Sequence, residues 1–334
     1  ALALPAKNLM VDFNDLYQPG KIEPAKLDQN TLGALFELSL GLSAWKVYGS
    51  NRWALRINPS SGNLHPTECY LLLPRCDEMA ACIAHYDPLF HRLEIRANLH
   101  AEEARSLIDL NGFGVVLSSI FWREAWKYGE RAFRYTQHDI GHALGALAFS
   151  AALLGWKISV RPEFDSELLN QLLGFGSPHR IPAESEHADC FCWISRSNPD
   201  EPGVYDWLSN LRIPAYRDQP NRLSPDHVHW PIIDEAARLT RSPGFGARRT
   251  AEVKSAQKQT SDYGAESVIR KRRSAQAYDS DRSSMTYRQF VQTLSATLLT
   301  SFVYLVGIGG QLVGEDHVAG RREGRDRPHV GLVS

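Results

Sequence analysis

Two short stretches of this sequence carry groups suited to holding a small polar ligand. The first, PSSGNLHP at residues 59 to 66, places Ser60, Ser61, Gly62 and Asn63 between two prolines and runs straight into the apolar ECYLLL. Turn formers of this kind present backbone N–H groups and small hydroxyls, a geometry suited to a flat polar ligand, although a plain tight turn meets the same description. The second is a basic run far downstream, Arg270, Lys271, Arg272 and Arg273, with Ser274 after it. A phosphate monoester is best held by forked guanidinium donors, so this run, together with Arg52 and Arg56 beside the turn, suits a phosphorylated ligand. Taken alone, a basic run reads equally well as a solvated face.

Between them, REAWKYGERAFRY at 123 to 135 mixes cations with aromatic rings. His138 and His142 stand four apart and would share one face of a helix, as zinc ligands in some proteases do. Asp139 rather than glutamate follows His138, and no third ligand is indicated, so no metal is expected. A glycine-rich GIGG at 307 to 310 follows an apolar run, but no strand-helix-strand unit surrounds it, and it reads as coil.

The elements that must position these groups follow from periodicity. Leu32, Leu35, Phe36, Leu38, Leu40 and Leu42 recur at helical spacing, predicting a helix over 31–45 that ends in a cationic loop bearing Lys46, Arg52 and Arg56. Strands are predicted at ECYLLL (68–73), VVLSSIFW (115–122), ISV and CFCWIS. The span from Tyr135 to Trp156, rich in Ala, Leu and Gly with little charge beyond Asp139, predicts a long buried helix at the centre of the fold. ELLNQLLGFG predicts a helix stopped by glycine. From 198 to 265, proline and polar residues without a sustained period predict a linker or long surface loops, apart from a short helix at DEAARL. A further helix is predicted after Thr286, with Gln289 completing its cap.

Composition narrows the function classes. The chain has 334 residues, 43% hydrophobic and 22% charged, in the range of ordinary globular proteins. A net charge of -1 supplies no global field to gather nucleic acid or anionic lipid, so neither is expected as a partner. Cys69, Cys76, Cys82, Cys190 and Cys192 lack zinc or redox spacing, and Cys190 and Cys192 are expected to share one packed face. No basic-apolar leader pattern opens the sequence, which makes the cytoplasm the default expectation.

Several separated stretches share one resemblance. RINPSSGNLHPTECYLLL resembles the flavin-contacting turn and strand of the nitroreductase superfamily, in the version carried by azoline dehydrogenases of the streptolysin S and cyanobactin type. WKYGERAFRYTQHDIGHALGALAFSAALLG is similar to that subfamily's active-site segment and following helix, and SVIRKRRSAQAYD looks like the Arg-Arg-Ser opening of another nitroreductase domain. The resemblance implies an α+β fold, an α-β-α sandwich with a mainly antiparallel mixed sheet around a central buried helix. It also implies FMN as cofactor. Domain boundaries follow: a nitroreductase-like domain over 1–197, a linker or loops over 198–265, and the start of a second, truncated domain over 266–334.

The resemblance further assigns Ser60, Ser61, Gly62 and Asn63 to the flavin ring or ribityl side of the site, with Arg272, Arg273 and Ser274 approaching the phosphate, and Arg56 beside the turn is counted among the cofactor-binding residues. Gln276 stands where the family has a third basic residue. Lys127 and Tyr128 match the pair that serves proton transfer in azoline dehydrogenases, which oxidise the ring by losing a hydride to flavin and a proton to a base. A surface lysine beside a packing ring is the alternative. The expected activity is hydride transfer between FMN and a small molecule or modified peptide, with azoline-to-azole dehydrogenation as its sharpest version. An NAD(P)H-dependent nitro or quinone reductase and a non-catalytic scaffold module are the alternatives, and a homodimer is compatible with each.

Overall fold

The computed structural model describes residues 1–4, 9–18, 20–176, 181–198, 200–214, 216, 220–244, 262–275, 277–279, 281 and 284–296. Helix α1 (Gln29–Glu37) opens on Asp28, whose side chain caps the Thr31 amide while Thr31 returns a bond to the Asp28 amide. It buries Leu32, Leu35 and Phe36. The helix stops well short of residue 45, because at Gly41 the chain folds back so closely that a Cβ would lie 2.8 Å from the Glu37 backbone. The cationic loop expected next is instead a hairpin, β1 (Leu42–Tyr48) with β2 (Asn51–Arg56). Tyr48 pairs with Asn51 across a two-residue connection whose Gly49 has φ of 58°, the left-handed backbone that tight hairpins require.

The remaining strands are β3 (Thr67–Leu73), β4 (Cys82–Asp87), β5 (Arg92–Asn98), β6 (Gly112–Ile120), β7 (Lys157–Val160) and β8 (Glu186–Ser195). They form one six-stranded sheet in the order β5-β4-β3-β6-β8-β7, each pair antiparallel. Every residue of β3 and β6 is buried, because these central strands are covered on both faces, and their apolar runs lack alternation for that reason. Cys69, Leu71 and Leu73 point to one face, where they meet Ala143, Leu144, Leu147 and Ala151. Tyr70 and Leu72 point to the other, toward Leu107, Leu169 and Trp193. Each fully buried leucine contributes roughly 1.5–3 kcal/mol relative to exposure.

The helices complete an α-β-α sandwich: α2 (Ala101–Asp109), α3 (Trp122–Tyr128), α4 (Ala132–Leu153), α5 (Ser166–Leu172), α6 (Gly203–Ser209), α7 (Pro231–Leu239), α8 (Ala265–Lys271) and α9 (Tyr287–Ala296). Helix α4 is the long element read from the sequence; it lies along one sheet face and leaves Arg134, Gln137, His138, Gly141 and His142 exposed on its outer stripe. Thr286 caps α9, its hydroxyl accepting from the Gln289 amide while Gln289 accepts from the Thr286 amide, as the spacing predicts. Cys190 and Cys192 both pack into the α4-side core.

The span from 198 to 265 holds more than loops. Helix α6 drives Val204, Trp207 and Leu208 into the second core, and the Trp207 indole donates to the Glu103 carbonyl at 3.1 Å. Its seven residues between turn formers are too few to show a period. Helix α7 contains the DEAARL motif and, with Trp230, packs on α3. Helix α8 returns to the N-terminal region: the Ala265 amide donates to Val11, Glu266 accepts from Leu9, and Arg270 bridges Glu266 and Glu37, each at 2.7 Å. Residues 297–334, with the glycine-rich stretch, and Gln276 lie outside the described residues.

Candidate active site

The turn after Ile57 is held in an unusual backbone shape. Gly62, Asn63 and His65 all have positive φ, 58°, 60° and 52°. For the two non-glycine residues this conformation costs on the order of 1–3 kcal/mol each unless side chains compensate, and the bonds that fix it are present. The His65 amide donates to the Ser60 hydroxyl at 2.8 Å, the Asn63 amide group donates to the Ala54 carbonyl at 2.8 Å, and Asn63 Oδ1 meets His65 Nε2 at 3.0 Å. Asp139, fully buried on α4, accepts from the Ser61 amide at 3.0 Å and the Ser61 hydroxyl at 3.1 Å. The one acid of the apolar helix is thus the anchor of the turn.

Beneath the hairpin this turn borders a cavity of about 490 Å³, within the range of small-molecule sites. The turn side contributes Arg56, Asn58, Ser60, Asn63 and His65, the hairpin contributes Lys46, and the chain after α8 contributes Arg272, Arg273 and Ser274. Two segments over 200 positions apart therefore share one wall, and none of the described lining residues carries a carboxylate. Arg272 donates to the Ile57 carbonyl at 2.9 Å and Arg273 to the Ser43 carbonyl at 3.2 Å, which ties the late segment to both edges of the cavity. Arg56 donates to the Thr67 carbonyl at 3.3 Å.

Electrostatics follow from this crowding. Burial, and then Arg273, lower the pKa of Arg272; burial also lowers that of Arg56. Both remain cations, since guanidinium titrates far above neutral pH. His65 is pushed down to about 3 by burial and by Arg56 and Arg123, so its ring is neutral. Its Nδ1 and the Oδ1 of Asn58, both buried, have no hydrogen-bond partner among the described residues. Cations, hydroxyls and two orphaned polar atoms around a cavity free of acid make a donor set that fits a ligand bearing a phosphate and a polar ring.

Lys127 and Tyr128 meet the same turn at Gly62. A Cβ at that position would lie 2.5 Å from the Tyr128 hydroxyl oxygen and 2.8 Å from Lys127 Nζ, so a larger residue would make the pair shift. Lys127 is exposed and its ammonium lies 5.1 Å from the Tyr128 ring centre, while that ring meets Tyr135 edge-on at 4.8 Å. Arg123 is turned elsewhere, donating to the His65 carbonyl and to Glu68.

Of the residues singled out in the sequence, Arg56, Ser60, Asn63, Arg272, Arg273 and Ser274 line the cavity, whereas Ser61 is engaged by Asp139 and Gly62 by the Lys127–Tyr128 pair. Asn58, His65 and Asp139 were not singled out as site residues. Asn58 and His65 sit inside the PSSGNLHP neighbourhood, and the isolation of Asp139 in an apolar helix was the available signal. His138 and His142 are exposed, and among the described residues no group of three or more His, Cys, Asp or Glu side chains could hold a metal. Nor is any described helix long and apolar enough to cross a membrane.

The architecture is the nitroreductase fold. Residues 23–182 match the sequence model of the Nitroreductase family, so the turn at 59–66, β3, α3 and α4 all fall inside the match. Among solved structures, a "putative nitroreductase" of Anabaena variabilis is similar at 21% identity with a TM-score of 0.53, over 80% of this chain and 57% of that one. The chain thus spans somewhat over half the length of that neighbour. Another so described, from Ralstonia eutropha JMP134, aligns at 16% identity and TM-score 0.43 over 59% of this chain and 89% of that one. The E. coli microcin synthetase McbBCD complex with truncated pro-MccB17 bound aligns at 19% identity and TM-score 0.41, over 53% of this chain and 66% of that one. No curated protein matches this sequence.

Proposed function

We propose that this protein is an FMN-dependent oxidoreductase that moves a hydride between flavin and a small or peptide-borne substrate, with azoline-to-azole dehydrogenation as the specific reaction. The observation that carries this reading is the acid-free cavity walled jointly by the early turn and the late arginines. Arg272, Arg273 and Ser274 would hold the FMN phosphate through charge-assisted bonds, and Arg56, Ser60 and Asn63, with Asn58 and His65, would hold the polar remainder. When bound, FMN supplies the hydride acceptor or donor. In the same reading, the segment from 266 onward opens a second nitroreductase-like unit whose phosphate-gripping residues serve the first.

Dehydrogenation also needs a base for the substrate proton. Lys127 Nζ is the proposed acceptor, placed against Gly62 beside the Tyr128 hydroxyl. Asp139 holds the turn through Ser61, so the pair and the cavity stay in register.

Protein purified without additives is expected to be yellow and to release FMN on denaturation. Failure to take up FMN even from excess ends the oxidoreductase reading. Lys127→Ala is expected to abolish azoline oxidation while FMN affinity, followed by flavin fluorescence, stays unchanged. Unchanged turnover would remove Lys127 as the base and leave flavin binding standing.

A further inference from the structure

Glu124 lies on α3, one helical turn before Lys127 and Tyr128, and has no exposed surface. Among the described residues, neither of its carboxyl oxygens has a hydrogen-bond partner. A buried orphan carboxylate is costly, and structures avoid it by pairing the group or by keeping its proton. The surroundings of Glu124 favour the proton. Its own helix offers Lys127, which is exposed and turned to Gly62. Helix α4 offers Asp139, a second buried acid, which already takes the Ser61 amide and hydroxyl. Those two bonds engage Asp139, whereas Glu124 has burial and no described donor, which favours its protonated form.

The remaining neighbours do not alter the balance. Arg123 is committed to Glu68 and the His65 carbonyl. The α7 side packs Ile233 and Trp230 near Ala125, and its Asp234 pairs with His229 at 2.8 Å. Tyr128 and Tyr135 face one another.

We infer that Glu124 is a positioning residue for the Lys127–Tyr128 pair: its neutral carboxyl leaves Lys127 without a buried counter-ion and free to face the turn, and its ionisation would draw Lys127 into an ion pair as a locked ammonium. The inference rests on the reading of Lys127 as the proton acceptor. Burial first, and Asp139 second, push Glu124 up to about 8, with Lys127 opposing them. Ionisation therefore falls just above neutral pH. Activity that needs Lys127 free to face the turn should therefore fall as pH rises through about 8.

The sign for stability is equally definite. The folded value lies above the ordinary 4.5, so the stability this carboxyl contributes is complete below pH 4.5 and is lost as pH rises through about 8. Glu124→Gln keeps the shape of the neutral acid and cannot ionise. The protein as purified, with and without added FMN, is compared with this variant in two ways: melting temperature against pH, and the rate at which a limiting amine-acylating reagent labels Lys127, read by peptide mass mapping. Wild type is expected to lose melting temperature through about pH 8 relative to the variant, and its Lys127 to label several-fold more slowly than the variant's on the alkaline side. Superimposable curves in both measurements overturn the inference.

Should the variant fail to fold, the infrared carbonyl band of a protonated carboxyl in the wild-type protein tests the same group. It should persist at neutral pH and vanish through about 8, and its absence at neutral pH also overturns the inference. Neither readout requires flavin. A protein that shows the expected curves but binds no FMN loses the oxidoreductase reading alone, while one that binds and turns over with superimposable curves loses only the role of Glu124.

Discussion

Two cavities of nearly equal size stand back to back across residues 65–68, and their charges are handled in opposite ways. The candidate site measures about 490 Å³ and the other about 480 Å³. In the second, each acid at the base has a partner. Glu68 binds Arg123 and, at 2.7 Å, His85; Glu186 accepts from Ser118 at 2.6 Å and Tyr70 at 3.1 Å; Glu184 meets His227 at 2.7 Å. In the first, among the described residues, Arg56, Arg272 and Arg273 donate only to backbone carbonyls. Arg123 joins the two, reaching Glu68 on one side and the His65 carbonyl on the other. Size does not distinguish the two cavities; the pairing of their charged side chains does.

The largest effect should come from breaking the neutralised side. Glu68→Ala removes the buried acid shared by Arg123 and His85, leaving them the His65 carbonyl and Glu94, and loss of one partner of a buried pair costs about 3–5 kcal/mol, measurable by urea unfolding. Burial alone would raise the pKa of Glu68, but Arg123 and His85 outweigh it and hold it below the usual carboxylate range. Its contribution is therefore present above the ordinary carboxylate pKa and lost as pH falls through its depressed folded value, so wild-type stability should decline on acidification and the decline should flatten in the variant. A variant as stable as wild type would show that the network is not structural.

The cationic side should respond in binding instead. Arg272→Ala combined with Arg273→Ala removes two charge-assisted donors of about 1.5–3 kcal/mol each, so FMN affinity should fall at least tenfold, with unfolding free energy changed by no more than about 0.5 kcal/mol. Equal losses of stability and affinity would erase the contrast between the cavities.

Gly62→Ala tests the join between turn and Lys127–Tyr128 pair. Positive φ and the close approach of the Tyr128 hydroxyl predict a loss of about 1–3 kcal/mol. A neutral effect on melting temperature would mean that the pair yields easily.

Legibility from sequence differed among the parts for physical reasons. Helix α4, β3, β6, β8 and the Thr286 cap were readable because each is fixed by local pattern: a long apolar period, an unbroken apolar run, or a side chain three residues from the amide it caps. The β1–β2 hairpin resembles a loop in the sequence because Lys46, Arg52 and Arg56 interrupt its apolar residues, although Gly49 and Ser50 mark the turn. Helix α6 was missed because its helical character comes from Trp207 and Leu208 meeting the second core, a contact that composition does not display.

By itself, the sequence determined the residue types at the turn, the basic run and the Lys127–Tyr128 step, since backbone permissiveness at glycine and the donor geometry of arginine are properties of single residues. Only the tertiary structure decided that α8, anchored through Arg270 to Glu37, carries Arg272 and Arg273 back to Ile57 and Ser43. Only folding, too, turned Ser61 toward Asp139 and left Glu124 beside it without a partner. Which charges find a counter-ion depends on chains brought together over long separations, and no local pattern records that pairing.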